Sequence, residues 1–472
     1  MKRLLLIVFL ALLGAALFLE YKRLTIKPWP ATHFEDVVEH FKYGSIGAEV
    51  DGFPFAIWRE LPTIFAEELP EGYAGFGFLR EVGKDLPIGV SVRRIGVERV
   101  GFNCATCHVS TYEIDGSRHL VLGAPNNALD IQAYIRFLTD AAQDSGLTPD
   151  AVIQAAEANG RPLGWVDRLV LRRVVFPRLA EEVATLEARL AWMVATLEAR
   201  LAWMDNRPPH GPGRTDAGNF WRERWGLNPS GDSRVGVVDF PSVWNQRLRT
   251  YGWFHWDGNN RSLDERNISA ALAGGAADWL LERRSIERVS DWLMAFPAPD
   301  WPLPLDADRV AQGRAIYERE GCDSCHDPGS PSLGQVTSLA ILGTDPQRTD
   351  LFDAEMVRYF GDVGQNYSWR FRNYRTTDGY ANMPLDGIWM RAPYLHNGSV
   401  PTLADLLSPP DTRPVSFFRG CSVLDTERVG FTCETGFELD TSLTGNGNGG
   451  HLWGTDLPGA EKALLLDYLK SL

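Results

Sequence analysis

The sequence predicts a mostly α-helical chain built as two similar small units with long irregular loops, the first enlarged by a helical insertion. Three observations predict this. The pattern C-x-x-C-H occurs twice, at Cys104–His108 and at Cys322–His326. Apolar residues recur at helical spacing before the second copy and again at the C-terminus. A run of eleven residues is repeated in tandem at 183–193 and 194–204.

The balance of 47 Lys and Arg against 61 Asp and Glu gives a net charge of −14 over 472 residues. That length suggests two to three domains. An apolar share of 44% with 23% charged residues belongs to a globular chain and excludes disorder or a multi-span membrane protein. The acidic balance argues against a nucleic-acid partner, because phosphate binding needs a basic face. It suits a soluble partner with basic patches. The 16 tryptophans read first as core, and second as lining for a flat apolar ligand.

Lys2 and Arg3 precede an apolar run at residues 4–19, closed by Glu20, Lys22 and Arg23. This is the layout of an export signal. No Ala-x-Ala site follows, so residues 1–30 read as a signal peptide or an uncleaved anchor. The body is expected in the periplasm or outside the cell.

Six cysteines carry most of the chemistry. Cys104, Cys107, Cys322 and Cys325 each belong to a C-x-x-C-H copy. Two thiols one helical turn apart can add to the two vinyl groups of one porphyrin, and the adjacent His then ligates iron. A zinc site would bring both pairs to one ion, and a thioredoxin-like pair would follow a strand. Neither explains a His after both pairs. The expectation is two covalent c-type haems, with His108 and His326 as proximal ligands. Cys421 and Cys433 read as a disulfide in an oxidising compartment.

The second unit is expected at 301–472. Pro302 and Pro304 form a linker and Asp306 or Asp308 an N-cap. Val310, Gly313, Ile316 and Tyr317 follow on a helix leading into Cys322. Leu464, Leu465, Tyr468 and Leu469 share a face of a C-terminal helix. One helix before C-x-x-C-H and one crossing it is the cytochrome c arrangement. The first unit spans 31–300, with its helical insertion at about 150–205. The tandem repeat there has a period close to three turns and predicts one helix of about 33 Å.

Each haem needs a second axial group. His451 is the candidate for the second iron, placed on a flexible Gly/Asn loop, residues 445–450, just before the last helix. His396 and Met383 are the alternatives.

The stretches Phe254-His255-Trp256-Asp257-Gly258-Asn259 and Ala392-Pro393-Tyr394-Leu395-His396-Asn397-Gly398-Ser399, with the two C-x-x-C-H copies, resemble the di-haem cytochrome c peroxidase superfamily. That superfamily includes MauG-type enzymes and RoxA-type rubber oxygenases. Residues 387–403 and 413–431 look closest to the RoxA-like branch. The resemblance implies that reaction occurs at the first haem, held by His108, and that Trp256 carries electrons between haems. It also implies His451 as the second-haem ligand and a calcium ion at the Asn245 side chain and the carbonyls of Arg391 and Pro393.

One departure bears on activity. Peroxidase members place an acid or amide about twenty residues after the tryptophan. Here residues 270–277 are small and apolar, with Asp278 the only acid nearby. An apolar pocket favours O₂ or an apolar substrate over acid-assisted peroxide cleavage. His255 is the one residue near Trp256 that could close the first iron, and strand alternation turns it away from that site.

The expectation is therefore an exported di-haem oxidoreductase. It activates O₂ or peroxide, on an apolar organic substrate in the oxygenase-like case. Its electrons come from a small redox protein or a small-molecule donor. The alternative is a non-catalytic electron-transfer cytochrome, and a third reading is a di-haem subunit of a membrane complex.

Overall fold

The computed structural model describes residues 28–50, 52–177, 204–227, 232–250 and 252–472. The N-terminal apolar run and the tandem repeat at 183–204, apart from Met204, lie outside the described residues. Of the expected insertion, the helices Pro149–Ala158 and Trp165–Val170 and the π-turn Leu171–Val175 are described. They join a cluster around Ile57, Leu61, Val152 and Ile153. Among the described residues, no helix is long and apolar enough to cross a membrane.

Among the described residues the fold mixes helices with strands, and the strands form six two-stranded antiparallel ladders. Each ladder is local or ties a loop. Val90–Ile95 pairs with Val97–Phe102 immediately before the first C-x-x-C-H, and Val109–Ile114 pairs with Ser117–Leu122 immediately after it. The first motif is thus a single helical turn, Cys104–His108, between two hairpins. Asn103 starts that turn, its side chain accepting from Ala105 N at 2.9 Å. The same amide donates to the Gly44 carbonyl. Gly89, at φ 87°, passes so close that a Cβ there would meet Thr106 N at 2.2 Å.

In the C-terminal part, Asp306 caps Ala307–Arg319 through Asp308 N and Arg309 N. This helix crosses Gly459–Lys470. Gly313 makes the crossing close, because a Cβ there would sit 2.0 Å from the Leu464 carbonyl. Ile316, Tyr317, Leu465 and Leu469 form the buried seam. Val121, Ala124 and Trp244 belong to the same apolar cluster, so this core draws on residues from both sides of position 300. Burial of such side chains contributes about 1.5–3 kcal/mol each. Cys421 and Cys433 are joined as a disulfide with Cα atoms 5.6 Å apart.

The segment around Trp256 differs from its expected form. Phe254 and Asn260 bridge antiparallel, and residues 255–259 between them are a tight turn rather than a strand. His255 lies at φ 63°. Strand alternation therefore says nothing about where His255 and Trp256 point.

Candidate haem centres

Cys322, Cys325 and His326 line a cavity of about 230 Å³, and His451 faces them across it. The rings of His326 and His451 lie 6.4 Å apart, centroid to centroid. A metal–imidazole bond is about 2 Å, with roughly 1 Å more to the ring centre, so this gap fits one metal ion held by both rings. His326 Nδ1 lies 2.6 Å from the Met383 carbonyl, which can only accept, so Nδ1 carries the proton and Nε2 keeps its lone pair. Burial pushes the His451 pKa down to about 4, and His326 adds to the shift. Both imidazoles are therefore neutral donors near pH 7.

The structure places the three candidate ligands differently with respect to His326. His396 Nε2 pairs with the Tyr380 hydroxyl at 2.9 Å, and the two rings stack at 3.9 Å. The Met383 main chain lies behind the His326 ring, where its carbonyl accepts. Only His451 presents its ring to His326 among these three.

The loop expected to be flexible is extensively braced. Arg413 is 3% exposed and donates to the carbonyls of Ser408, Asn448 and Gly450 at 3.1, 2.6 and 2.9 Å. It also reaches the Leu406 and His451 carbonyls. Asn397 Nδ2 donates to the carbonyls of Gly445 and Gly447, and Ser399 Oγ to that of Gly447. His451 N donates to the Leu342 carbonyl. The His-Asn-Gly-Ser stretch thus holds the loop that carries His451. Sequence reading missed Arg413, because an Arg before a Pro in a loop looks solvated.

At the first motif, His108 Nδ1 lies 2.9 Å from the Pro241 carbonyl, the same tautomer lock as at His326. Burial, then Arg266, pushes its pKa down to about 4. Burial also pushes the Cys107 thiol up to about 12 and the Cys322 thiol up to about 11. Such neutral thiols are unlike the activated thiolates of redox pairs. No three His, Cys, Asp or Glu side chains converge on a metal-sized point among the described residues, so the two C-x-x-C pairs do not share an ion.

Trp256 lines the same cavity as Cys322, Cys325, His326 and His451, the second cavity, named for the second motif. Its indole N–H donates to the Asp239 carbonyl at 2.8 Å, and its own carbonyl accepts from Ala381 N. His255 Nδ1 pairs with Asn259 Oδ1 at 2.6 Å, and Asn259 Nδ2 donates to Asp257 Oδ2. Arg266, on the helix Leu263–Ala273, is within electrostatic reach of Cys104, His108 and His255. It donates to Gln246 Oε1 at 2.7 Å, and burial pushes its pKa down to about 10. Arg266 is a polar group near the first motif that the small-residue window did not reveal. Within that window Ala271, Leu272 and Ala276 pack with Ile268, Phe352 and Phe360.

Of the calcium candidates, Asn245 begins the 3-10 turn Gln246–Arg249 at φ 42°. The Arg391 guanidinium lies 5.4 Å from the ring centre of neighbouring Trp244, so Asn245 and Arg391 share one neighbourhood. Arg391 is paired with Asp386 at 2.7 Å.

A cavity flanked by a C-x-x-C-H turn and a facing imidazole is the arrangement expected of a c-type haem site. A family model described as RoxA-like, cytochrome c-like matches residues 379–418. The match supports a RoxA-type cytochrome c relationship and, with it, covalently bound haem c. The matched stretch contains Met383, the His-Asn-Gly-Ser brace and Arg413. The uncharacterized protein y4iM of Sinorhizobium fredii (strain NBRC 101917 / NGR234) is 31% identical over 237 residues, 44% of this chain and 53% of the relative. The chain thus spans about half the length of that relative. The uncharacterized protein y4iJ of the same organism is 25% identical over 527 residues, 87% of this chain and 83% of the relative.

Proposed function

We propose that the chain is an exported di-haem oxidoreductase of two cytochrome c-type units. One haem is bound at Cys104, Cys107 and His108, the other at Cys322, Cys325, His326 and His451. The carrying observation is that His108 and Trp256 are tied to one short piece of chain, residues 239–241, while Trp256 also lines the second cavity. In this reading Trp256 is the conduit between the two centres.

A bound haem supplies one-electron transfer and, where an iron position is open, O₂ or peroxide binding. The protein's part is orientation and charge. Met383 and Pro241 hold the proximal tautomers. Arg413, Asn397 and Ser399 hold His451 against its iron, which suits the second centre to relay. Arg266 places a hydrogen-bond donor near the first centre, where substrate is activated. Electrons enter from a small redox protein or a small-molecule donor. A calcium ion at the Asn245 side chain and the Arg391 and Pro393 carbonyls completes the proposal, since neutral oxygens suit a hard cation.

One observation favours the electron-carrier alternative. His255 is oriented through Nδ1 by Asn259, and Arg266 places it in the same electrostatic neighbourhood as His108. If His255 Nε2 ligates the first iron, both irons are six-coordinate. The test is CO binding to the reduced protein, together with mass and elemental analysis of the same preparation. The enzyme reading expects two covalent haems, one calcium, and one CO per two haems. Two low-spin haems with no CO adduct would overturn it in favour of the carrier.

A further inference from the structure

Arg249 closes the 3-10 turn Gln246–Arg249 and lines the second cavity, on whose wall Met383, Leu385, Ile388 and Arg391 also lie. Its Nε is buried with no hydrogen-bond partner, and no ion pair holds its guanidinium among the described residues. The charged groups within its electrostatic reach are Arg391, Arg266 and Asp386. With Arg249 itself these are three guanidiniums against one carboxylate, a surplus of two positive charges. Asp386 is already engaged by Arg391. Burial and Arg391 push the Arg249 pKa down to about 9, the direction expected of a cation without its counter-ion.

A guanidinium partly withdrawn from water and without a counter-ion is stabilised by an anionic partner in the cavity it lines. Guanidinium presents a planar fork that matches a carboxylate in two-point contact. The ligand proposed for this cavity carries two such groups, the propionates of haem. We infer that Arg249 is a carboxylate-binding residue for a propionate of the haem held by His326 and His451, and that its charge sets that haem's reduction potential. The inference rests on the proposed haem in this cavity.

The physical consequence has a definite sign. A fixed positive charge beside the porphyrin favours the form holding one more electron, so it raises the potential. Arg249 therefore helps keep the relay haem reducible by its donor.

The experiment is a spectroelectrochemical titration of the full-length holoprotein and its Arg249→Gln, Arg249→Lys and Arg247→Gln variants. In Arg249→Gln, the low-spin haem should become at least tenfold harder to reduce, equivalent to 59 mV for one electron. The other haem should change less. Arg249→Lys should recover at least half of the shift, since it keeps the charge and loses the fork. Arg247, which is exposed, should be silent when neutralised. An unshifted potential in Arg249→Gln, or an equal shift from Arg247→Gln, would overturn the inference. If Arg249→Gln does not accumulate, redox-difference infrared spectra of the wild type with isotope-labelled propionates provide the second reading. Perturbed ionised carboxylate bands support the contact, and bands matching solvated propionate overturn it. Loss of covalent haem from the wild type at Cys322 and Cys325 would instead sink the underlying reading.

Discussion

His108 and Trp256 donate to carbonyls two residues apart, Pro241 at 2.9 Å and Asp239 at 2.8 Å. One stretch of backbone therefore orients both the first proximal imidazole and the indole that lines the second cavity. The stretch is itself held on both sides. Val238–Asp239 pairs with Arg214–Thr215, and Asp239 N donates to the His396 carbonyl. The two proposed centres are thus coupled mechanically before any electron moves.

Trp256→Phe removes the indole N–H and the bond to Asp239. Rapid-mixing spectroscopy should show slower electron exchange between the two haems, while the fraction of haem that binds CO is unchanged. Equal exchange rates in the variant and the wild type would remove Trp256 from the route.

His451→Ala should convert the second haem from low-spin to high-spin, read by visible and EPR spectra. Arg413→Gln should produce a milder version, a mixture of spin states, because the loop loses bonds to the carbonyls of Asn448 and Gly450 without losing the imidazole. A fully low-spin spectrum in His451→Ala would return the assignment to another ligand.

Arg419 pairs with Asp239 at 2.6 Å, both almost completely buried, and also donates to the Gly398 carbonyl. Arg419→Met leaves the Asp239 carboxylate buried without this partner. Chemical denaturation should show a loss of roughly 3–5 kcal/mol. A loss under about 1 kcal/mol would mean that Arg214 or water replaces the pairing.

Three buried imidazoles outside the proposed ligand set share one pH dependence. Burial pushes His40 and His210 down to about 4, and His396 down to about 3. In the unfolded chain each titrates near 6.5, so between about 4 and 6.5 the unfolded state binds more protons. The imidazole contribution to stability should therefore rise with pH across that window and fall on acidification. Asp239 opposes this, because burial raises it to about 6 and the folded state holds its proton longer. Asp130, Asp264 and Asp345 are also raised by burial and oppose it in the same way, so the imidazole contribution is read from the change in slope on removing an imidazole. Denaturation midpoints at pH 5 and pH 7 give the slope, and His40→Gln should make it less positive.

The sequence alone carried the expectation of haem chemistry. Cys104, Cys107 and His108, like Cys322, Cys325 and His326, act within one helical turn, so chain spacing already sets their relative positions. The helix pair around Gly313 and Leu464 was legible for a similar reason, since helical periodicity is local. The partner across each iron was less so. His451 stood out by its place before the last helix, but only the fold turns its ring toward His326 and away from competition with His396. Arg413, Arg266 and Arg249 carried no local signal, because a guanidinium turned into the fold and a solvated one look alike in sequence. Their roles depend on which carbonyls and charges the tertiary structure brings within a few ångströms. The turn at 255–259 overruled strand alternation in the same way, through a bridge between Phe254 and Asn260. Covalent spacing is written along the chain, whereas desolvation and long-range hydrogen bonding exist only once distant segments have packed.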